Sequence, residues 1–205
     1  MDKNKEKIRN NFNQEAKEYD RSKASQFAKQ SYPYILNTLM PISFETVLDI
    51  GCGTGTLLYQ ILDNKPQVIA TGLDFSPKML EVAREKLPKR VELTQGDAEE
   101  LPYKDKSFDL VVASDILRYI TDPEKVVKEM YRVLKMGGKI ILCDFCTINS
   151  LRAVKNLFNP LSKDAGLRIY GEDEVKDFLS EAGFDFVNYT KVTGNTFIAT
   201  GNKRN

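Results

Sequence analysis

Three carboxylates stand at or just beyond the ends of short apolar runs, and their surroundings give them a chemistry. Asp49 lies near the end of TVLDI (46–50), just before the glycine-rich turn of VLDIGCGTG (47–55). Asp74 closes QVIATGLD (67–74), and Asp97 lies in QGDAEELPY (95–103), just beyond RVELTQ (90–95). Gly51 and Gly53 leave room for a ligand to approach backbone N–H groups at a helix N-terminus, with the Asp49 carboxylate beside it. Asp74 falls 19 positions after Gly55, a spacing at which a carboxylate on a second strand accepts ribose hydroxyls. Asp97 is then placed for an adenine amino group. A lone glycine-rich loop is a weak signal, whereas three carboxylates on successive strand ends along one sheet edge specify a nucleoside.

The spacing also selects among nucleosides. A dinucleotide loop reads GxGxxG, and counting on from Gly51 and Gly53 puts Thr56 where the third glycine belongs, which disfavours NAD. The pattern is DxGxGxG, and negative charge beside the loop suits a cationic amino-acid moiety better than a pyrophosphate. The chain has no histidine, which excludes Ser-His-Asp and Cys-His nucleophiles, HExxH zinc chemistry and imidazole acid–base catalysis. Proton removal falls to a carboxylate, a tyrosine or water. Asp115, following FDLVVAS (108–114), is the first candidate for a catalytic base, with Tyr119 and Asp144 behind it. Cys143 and Cys146 form a CxxC without a second pair and are read as core. Cys52 is read as a small side chain that fits the loop, at a helix N-terminus that would lower its pKa.

These residues need a frame that brings strand ends together, and the hydrophobic pattern supplies one. The runs above, with FDLVVAS and GKIILCDF (138–145), have the Val, Ile and Leu content of buried strands. Between them, Leu57, Leu58, Ile61 and Leu62 form one helical stripe, Met79, Leu80, Ala83 and Leu87 a second, and Val126, Val127, Met130, Val133 and Leu134 a third. Ser76-Pro77 and Asp122-Pro123 place an N-cap oxygen before a proline at the first helical position, and Gly137 and Gly138 are expected to end the third helix. Such alternation builds a parallel sheet covered on both faces. After a helix carrying Val175, Phe178, Leu179 and Ala182, the runs FDFVNYTKV (184–192) and TFIATG (196–201) form a hairpin. The expectation is an α/β fold in one domain over 1–205: a Rossmann-like seven-stranded mixed sheet with helices on both faces and its last strand antiparallel.

At this point the chain resembles the class I S-adenosylmethionine-dependent methyltransferases, especially the subgroup with the ubiquinone/menaquinone and biotin-pathway C- and O-methyltransferases. The resemblance runs from about Tyr19 to the hairpin and rests on VLDIGCGTG, GLDFSPKML (72–80), GDAEELPY (96–103), FDLVVAS, VLKMGGKIIL (133–142) and FLSEAGF (178–184). It implies S-adenosylmethionine as cofactor and S-adenosylhomocysteine as product. By the same resemblance Gly51, Cys52 and Gly53 line the methionine part and Asp74 takes the ribose. Phe75 and Met79 flank the adenine, Asp97 and the Ala98 backbone read its edge, and Ser114 contacts the amino group. Many relatives carry a histidine pair after the fourth strand, where this chain has Asp115, Ile116, Leu117, Arg118 and Tyr119. The implied function is methyl transfer to an unidentified, small-molecule acceptor. The alternatives are an RNA or protein acceptor, or a protein that binds the cofactor without catalysis.

Outside the motifs, Ile8, Phe12, Ala16 and Tyr19 recur at nearly every fourth position. They suggest an N-terminal helical lid within 1–40, with Tyr19 and Phe12 folding over the cofactor. Residues 146–170, with Leu151, Val154, Leu157, Phe158 and Pro160, read as an insertion on the acceptor side. Basic clusters at Lys86, Lys89 and Arg90, and at Lys203 and Arg204, read as solvated faces. With 30 Lys plus Arg against 29 Asp plus Glu, the chain lacks the basic balance of nucleic-acid binders, and no tetrapeptide like Asn-Pro-Pro-Tyr follows the fourth strand. The charged N-terminus, the lack of a membrane-length apolar run and three cysteines together suggest a soluble cytoplasmic protein; oligomeric state is left open.

Overall fold

Apolar runs too short for helices and rich in β-branched residues become the strands of a single sheet. The computed structural model of the chain describes residues 3–147, 152, 156 and 168–204. In chain order these contain α1 (Lys3–Glu15), α2 (Lys23–Lys29), α3 (Tyr32–Leu39), β1 (Thr46–Ile50), α4 (Thr56–Asn64), β2 (Ile69–Asp74) and α5 (Pro77–Lys86). Then follow β3 (Glu92–Gln95), β4 (Phe108–Ser114), α6 (Pro123–Val133), β5 (Leu134–Phe145), α7 (Glu172–Glu181), β6 (Phe184–Thr193) and β7 (Thr196–Lys203). Short 3-10 turns occupy Tyr19–Arg21 and Leu117–Tyr119. The sheet order is β3-β2-β1-β4-β5-β7-β6. The strands β1 to β5 are parallel, and β7 runs antiparallel to both of its neighbours. The seven-stranded mixed sheet and its antiparallel last strand match the expectation.

Strand order reverses between β1 and β4, so a crevice opens beyond their carboxyl ends. Both faces are covered. Val47 packs with Ile35 and Leu39 of α3, Leu57, Leu58 and Ile61 of α4, and Leu80 and Ala83 of α5. Leu48 and Ile50 face the opposite cluster, with Val126, Val127 and Met130 of α6 and Val175 and Leu179 of α7. By the period of a strand, Asp49 shares the α3–α5 side with Val47, and Asp74 shares it with Ala70. The caps are those read from the sequence: Ser76 Oγ accepts from Met79 N at 3.1 Å, and Asp122 Oδ1 from Lys125 N at 3.0 Å.

Three expectations are corrected. The third stripe does not run as helix to Gly137: α6 stops at Val133, and Leu134 already pairs with Phe108. There Lys135 Nζ reaches Asp109 Oδ1 at 2.8 Å, and the register shifts past Phe108 around Gly137, whose φ is 72°. The N-terminal stripe is broken as well, since α1 ends at Glu15 and Tyr19 lies in the following turn. Finally, Lys89, Arg90 and Arg204 are exposed as expected, but Lys86 is partly buried and Lys203 buried, and both are tied down. Lys86 Nζ lies 2.7 Å from Asp20 Oδ2, and Lys203 donates to the carbonyls of Tyr131 (2.7 Å) and Arg132 (3.3 Å) at the end of α6. Among the described residues no helix is long and apolar enough to cross a membrane.

Leu48 is fully buried in the central strand, so Leu48→Ala should cost about 2–5 kcal/mol. Urea unfolding checks this; a loss below about 1 kcal/mol would mean that the cluster between β1 and α6 is not close-packed.

Candidate functional site

The carboxyl ends of β1, β2, β3 and β4 deliver Gly51, Asp74, Asp97 and Ser114 to one edge of the sheet. There they line a cavity of about 150 Å³ together with Cys52, Gly53, Phe75, Met79, Ala98, Asp115 and Tyr19. The loop after β1 needs its glycines. Gly51 has φ 75°, and a Cβ on it would run into the Ile116 side chain; Gly55, at φ 74°, would put a Cβ 2.6 Å from Leu87 Cδ1. One expectation about this loop fails. Its glycine and Cys52 N–H groups are used internally: Gly51 N (2.7 Å) and Cys52 N (3.0 Å) donate to Leu73 O, Gly53 N to Asp74 Oδ2 at 2.8 Å, and Gly55 N to Cys52 O at 2.9 Å. The loop therefore offers shape rather than the bank of free donors that a pyrophosphate requires. Nor is the Cys52 thiol activated, because burial and then the nearby Asp74 push its pKa well up.

Of the three strand-end carboxylates, Asp74 and Asp97 line the cavity and Asp49 does not. Asp49 lies behind the loop, 2% exposed, and its Oδ2 has no hydrogen-bond partner among the described residues. Burial, then the like charge of Asp74, raise its pKa to about 7. Asp74 receives Gly53 N on one oxygen and Ser76 N on the other, both at 2.8 Å, while burial still lifts its pKa to about 6. Each oxygen retains a lone pair for a further donor. Asp97 Oδ1 accepts from Glu99 N at 3.0 Å. Asp115 has a left-handed backbone (φ 58°) and receives Ser114 Oγ at 3.1 Å and an Arg118 amino group at 3.0 Å. Its pKa is raised, chiefly by burial.

The N-terminal segment supplies residues that the motifs did not signal. Lys5 of α1 reaches Asp97 Oδ2 (2.7 Å) and Glu99 Oε2 (2.6 Å). One turn on, Arg9 lies over the Phe75 ring at 5.7 Å, and Asn13 accepts from Ser76 Oγ at 2.7 Å. Ile8, Phe12 and Lys5 line the cavity, and Phe12 packs edge-on against Tyr19 and Tyr119. Asp20 ties the next turn down, accepting from Thr54 Oγ1 (2.8 Å), Thr56 Oγ1 (3.1 Å) and Lys86. Burial opposes its charge, but Lys86 and Thr54 hold its pKa down to about 2. The spacing of Lys5, Ile8 and Phe12 on one helix face was the available signal for α1; nothing in the sequence announced Asp20. In the 146–170 segment, Leu151, Val154, Leu157, Phe158 and Pro160 lie outside the described residues.

A group whose pKa rises on folding favours the folded state below its unfolded pKa and loses that contribution as pH climbs through the folded value. For Asp49 the loss spans about pH 4 to 7. Asp49→Asn does not titrate, so the melting temperature of the variant minus that of the parent should grow by several degrees from about pH 5 to about pH 8. Thermal melts of the ligand-free chain check this, and an unchanging difference would mean that Asp49 is not desolvated.

Comparisons with known proteins agree on a family. The model of a family described as a methyltransferase domain matches residues 43–183. A demethylmenaquinone methyltransferase of Clavibacter sepedonicus is 43% identical over 109 residues, which take up 52% of this chain and 44% of that protein. The ubiquinone/menaquinone biosynthesis C-methyltransferase UbiE of Pectobacterium carotovorum is 33% identical over 178 residues, covering 73% of this chain and 70% of that one. A Thermotoga maritima structure, described as a SAM-dependent methyltransferase and possible histamine N-methyltransferase, superposes with a TM-score of 0.73 at 25% identity. It covers 94% of this chain and 98% of its own. A glycine loop folded against the end of β2, carboxylates at three strand ends and these matches lead to one conclusion: the chain belongs to the S-adenosylmethionine-dependent methyltransferases.

Proposed function

We propose that the protein transfers a methyl group from S-adenosylmethionine to a small-molecule acceptor. The observation that carries this reading is the buried Oδ2 of Asp49, without a partner among the described residues, behind a loop whose Gly51, Cys52 and Gly53 N–H groups already donate within the chain. That arrangement repels a pyrophosphate and suits a ligand bearing positive charge. The cradle fits such a ligand: Gly51, Cys52 and Gly53 would border its amino-acid part, with Asp49 as counter-charge behind them and Ser114 at its amino group. Asp74 would take the ribose, Phe75 and Met79 would flank the adenine, and Asp97 with the Ala98 backbone would meet its edge. When bound, S-adenosylmethionine supplies an already activated methyl group. The chain's own contribution is then to align the acceptor, exclude water and hold a proton acceptor at Asp115.

The acceptor side is read from its chemistry and its relatives. The relatives above carry names of quinone-pathway enzymes, which supports a small aromatic acceptor, and Phe12, Tyr19 and Tyr119 give the cavity aromatic walls. In this reading α1 is a lid, with Lys5 latched to Asp97 and Glu99. The family resemblance and three free cysteines support action in the cytoplasm, where thiols stay reduced.

Calorimetry should give micromolar affinity, about −8 kcal/mol, for S-adenosylmethionine and S-adenosylhomocysteine and much weaker binding of NAD. Tighter NAD binding would overturn the reading. A screen with methyl-labelled donor against quinols, phenols and amines tests the transfer itself. Asp74→Ala should lose at least about tenfold in S-adenosylhomocysteine affinity, because two charge-assisted hydrogen bonds go, and Asp74→Asn should lose less. Lys5→Gln combined with Phe12→Ala should speed dissociation of S-adenosylhomocysteine in stopped flow while circular dichroism stays that of the parent; an unchanged rate would remove α1 and Tyr19 from the lid.

A further inference from the structure

We propose that Arg118 is the positioning residue for Asp115, holding that carboxylate as an anion at the cleft, and that Asp144 in turn holds Arg118. This rests on the reading of Asp115 as the proton acceptor. Asp115 N donates to Cys143 O at 2.8 Å, which fixes the left-handed residue against β5 and turns its side chain into the cavity wall. Each carboxylate oxygen then has one partner: Oδ1 meets the Arg118 amino group and Oδ2 the Ser114 hydroxyl.

Arg118 rides on the Leu117–Tyr119 turn, and that turn hangs from Asp144. Asp144, 3% exposed, receives Leu117 N at 2.7 Å and Phe145 N at 2.6 Å. It thus places a second negative charge near the guanidinium. The groups facing Asp115 are Tyr19, Tyr32, Tyr119, Cys143, Asp144 and Arg118. Arg118 is the one cation in that set. Burial raises the Asp115 pKa, and Arg118 and then the Ser114 hydrogen bond lower it, so removing the guanidinium leaves burial opposed by Ser114 alone. Arg118 Nε is buried and has no hydrogen-bond partner among the described residues, so this side chain keeps a donor beside the cleft.

The test is a carbon-13 NMR titration of protein labelled at its aspartate carboxyl carbons, with Asp115→Asn used to assign the resonance. Arg118→Met should raise the Asp115 midpoint by at least about one pH unit, tenfold in proton affinity. Arg118→Lys, which keeps the charge but not the planar fork, should move it up by less. If neither variant moves the midpoint while melting temperatures fall, Arg118 only braces the turn and the proposal is overturned. Failure of the underlying reading looks different: Asp115→Asn would then transfer methyl groups at the parental rate in the labelled-donor assay, wherever the midpoint lies.

Discussion

Like charge gathered at one edge of a sheet is the constraint on which this structure depends. Asp49, Asp74, Asp97, Asp115 and Asp144 all stand at or near the carboxyl ends of neighbouring strands, Asp49 and Asp144 buried and the others partly so. Water would solvate such groups, and burial removes it at a cost that must be met locally. The chain meets it in different ways. Asp74 and Asp144 each receive two backbone N–H groups. Asp97 and Asp115 each have a cation, Lys5 and Arg118. Asp49 Oδ2 has neither among the described residues, and burial raises its pKa to about 7. The unmet charge lies nearest the loop, where a positively charged ligand would complete the set.

That arrangement explains which parts were legible in the sequence. Elements whose identity depends on local pattern were readable: the strands, the helices carrying the first three stripes, and the Ser76-Pro77 and Asp122-Pro123 starts are all present, though the third stripe ends early. Asp74 and Asp97 were legible as residues of one cavity because topology alone carries the ends of parallel strands to a common crevice. Where a long-range contact competes with a local pattern, the sequence was silent. The end of α6 is decided by Leu134 pairing with Phe108, and Lys86 is claimed by Asp20 from 66 positions away. Asp49 was read as a ligand contact, yet the alternation of β1 turns it toward the α3–α5 side, behind the loop rather than into the cavity.

The N-terminal helix and the segment after β4 share a physical logic. Lys5 and Arg118 are both long cations brought by elements outside the sheet edge, and each pairs with a carboxylate that the sheet itself provides. Partly buried ion pairs of this kind add little net stability, because desolvation offsets attraction. What they fix is geometry, and a reaction that needs an acceptor aligned with a methyl group depends on geometry first.

The last strand carries a different consequence. β7 lies between β5 and β6, pairing Thr196–Asn202 with Lys139–Phe145 on one side and most of β6 on the other. A chain emerging from the ribosome therefore reaches β6 with no neighbour for it in the sheet. The two strands beyond β5 can join the sheet only when β7 is available, so that part of the fold closes through a long-range event. Until then β5 presents an open, hydrophobic edge to other chains, and the last eight-residue strand is the one that covers it.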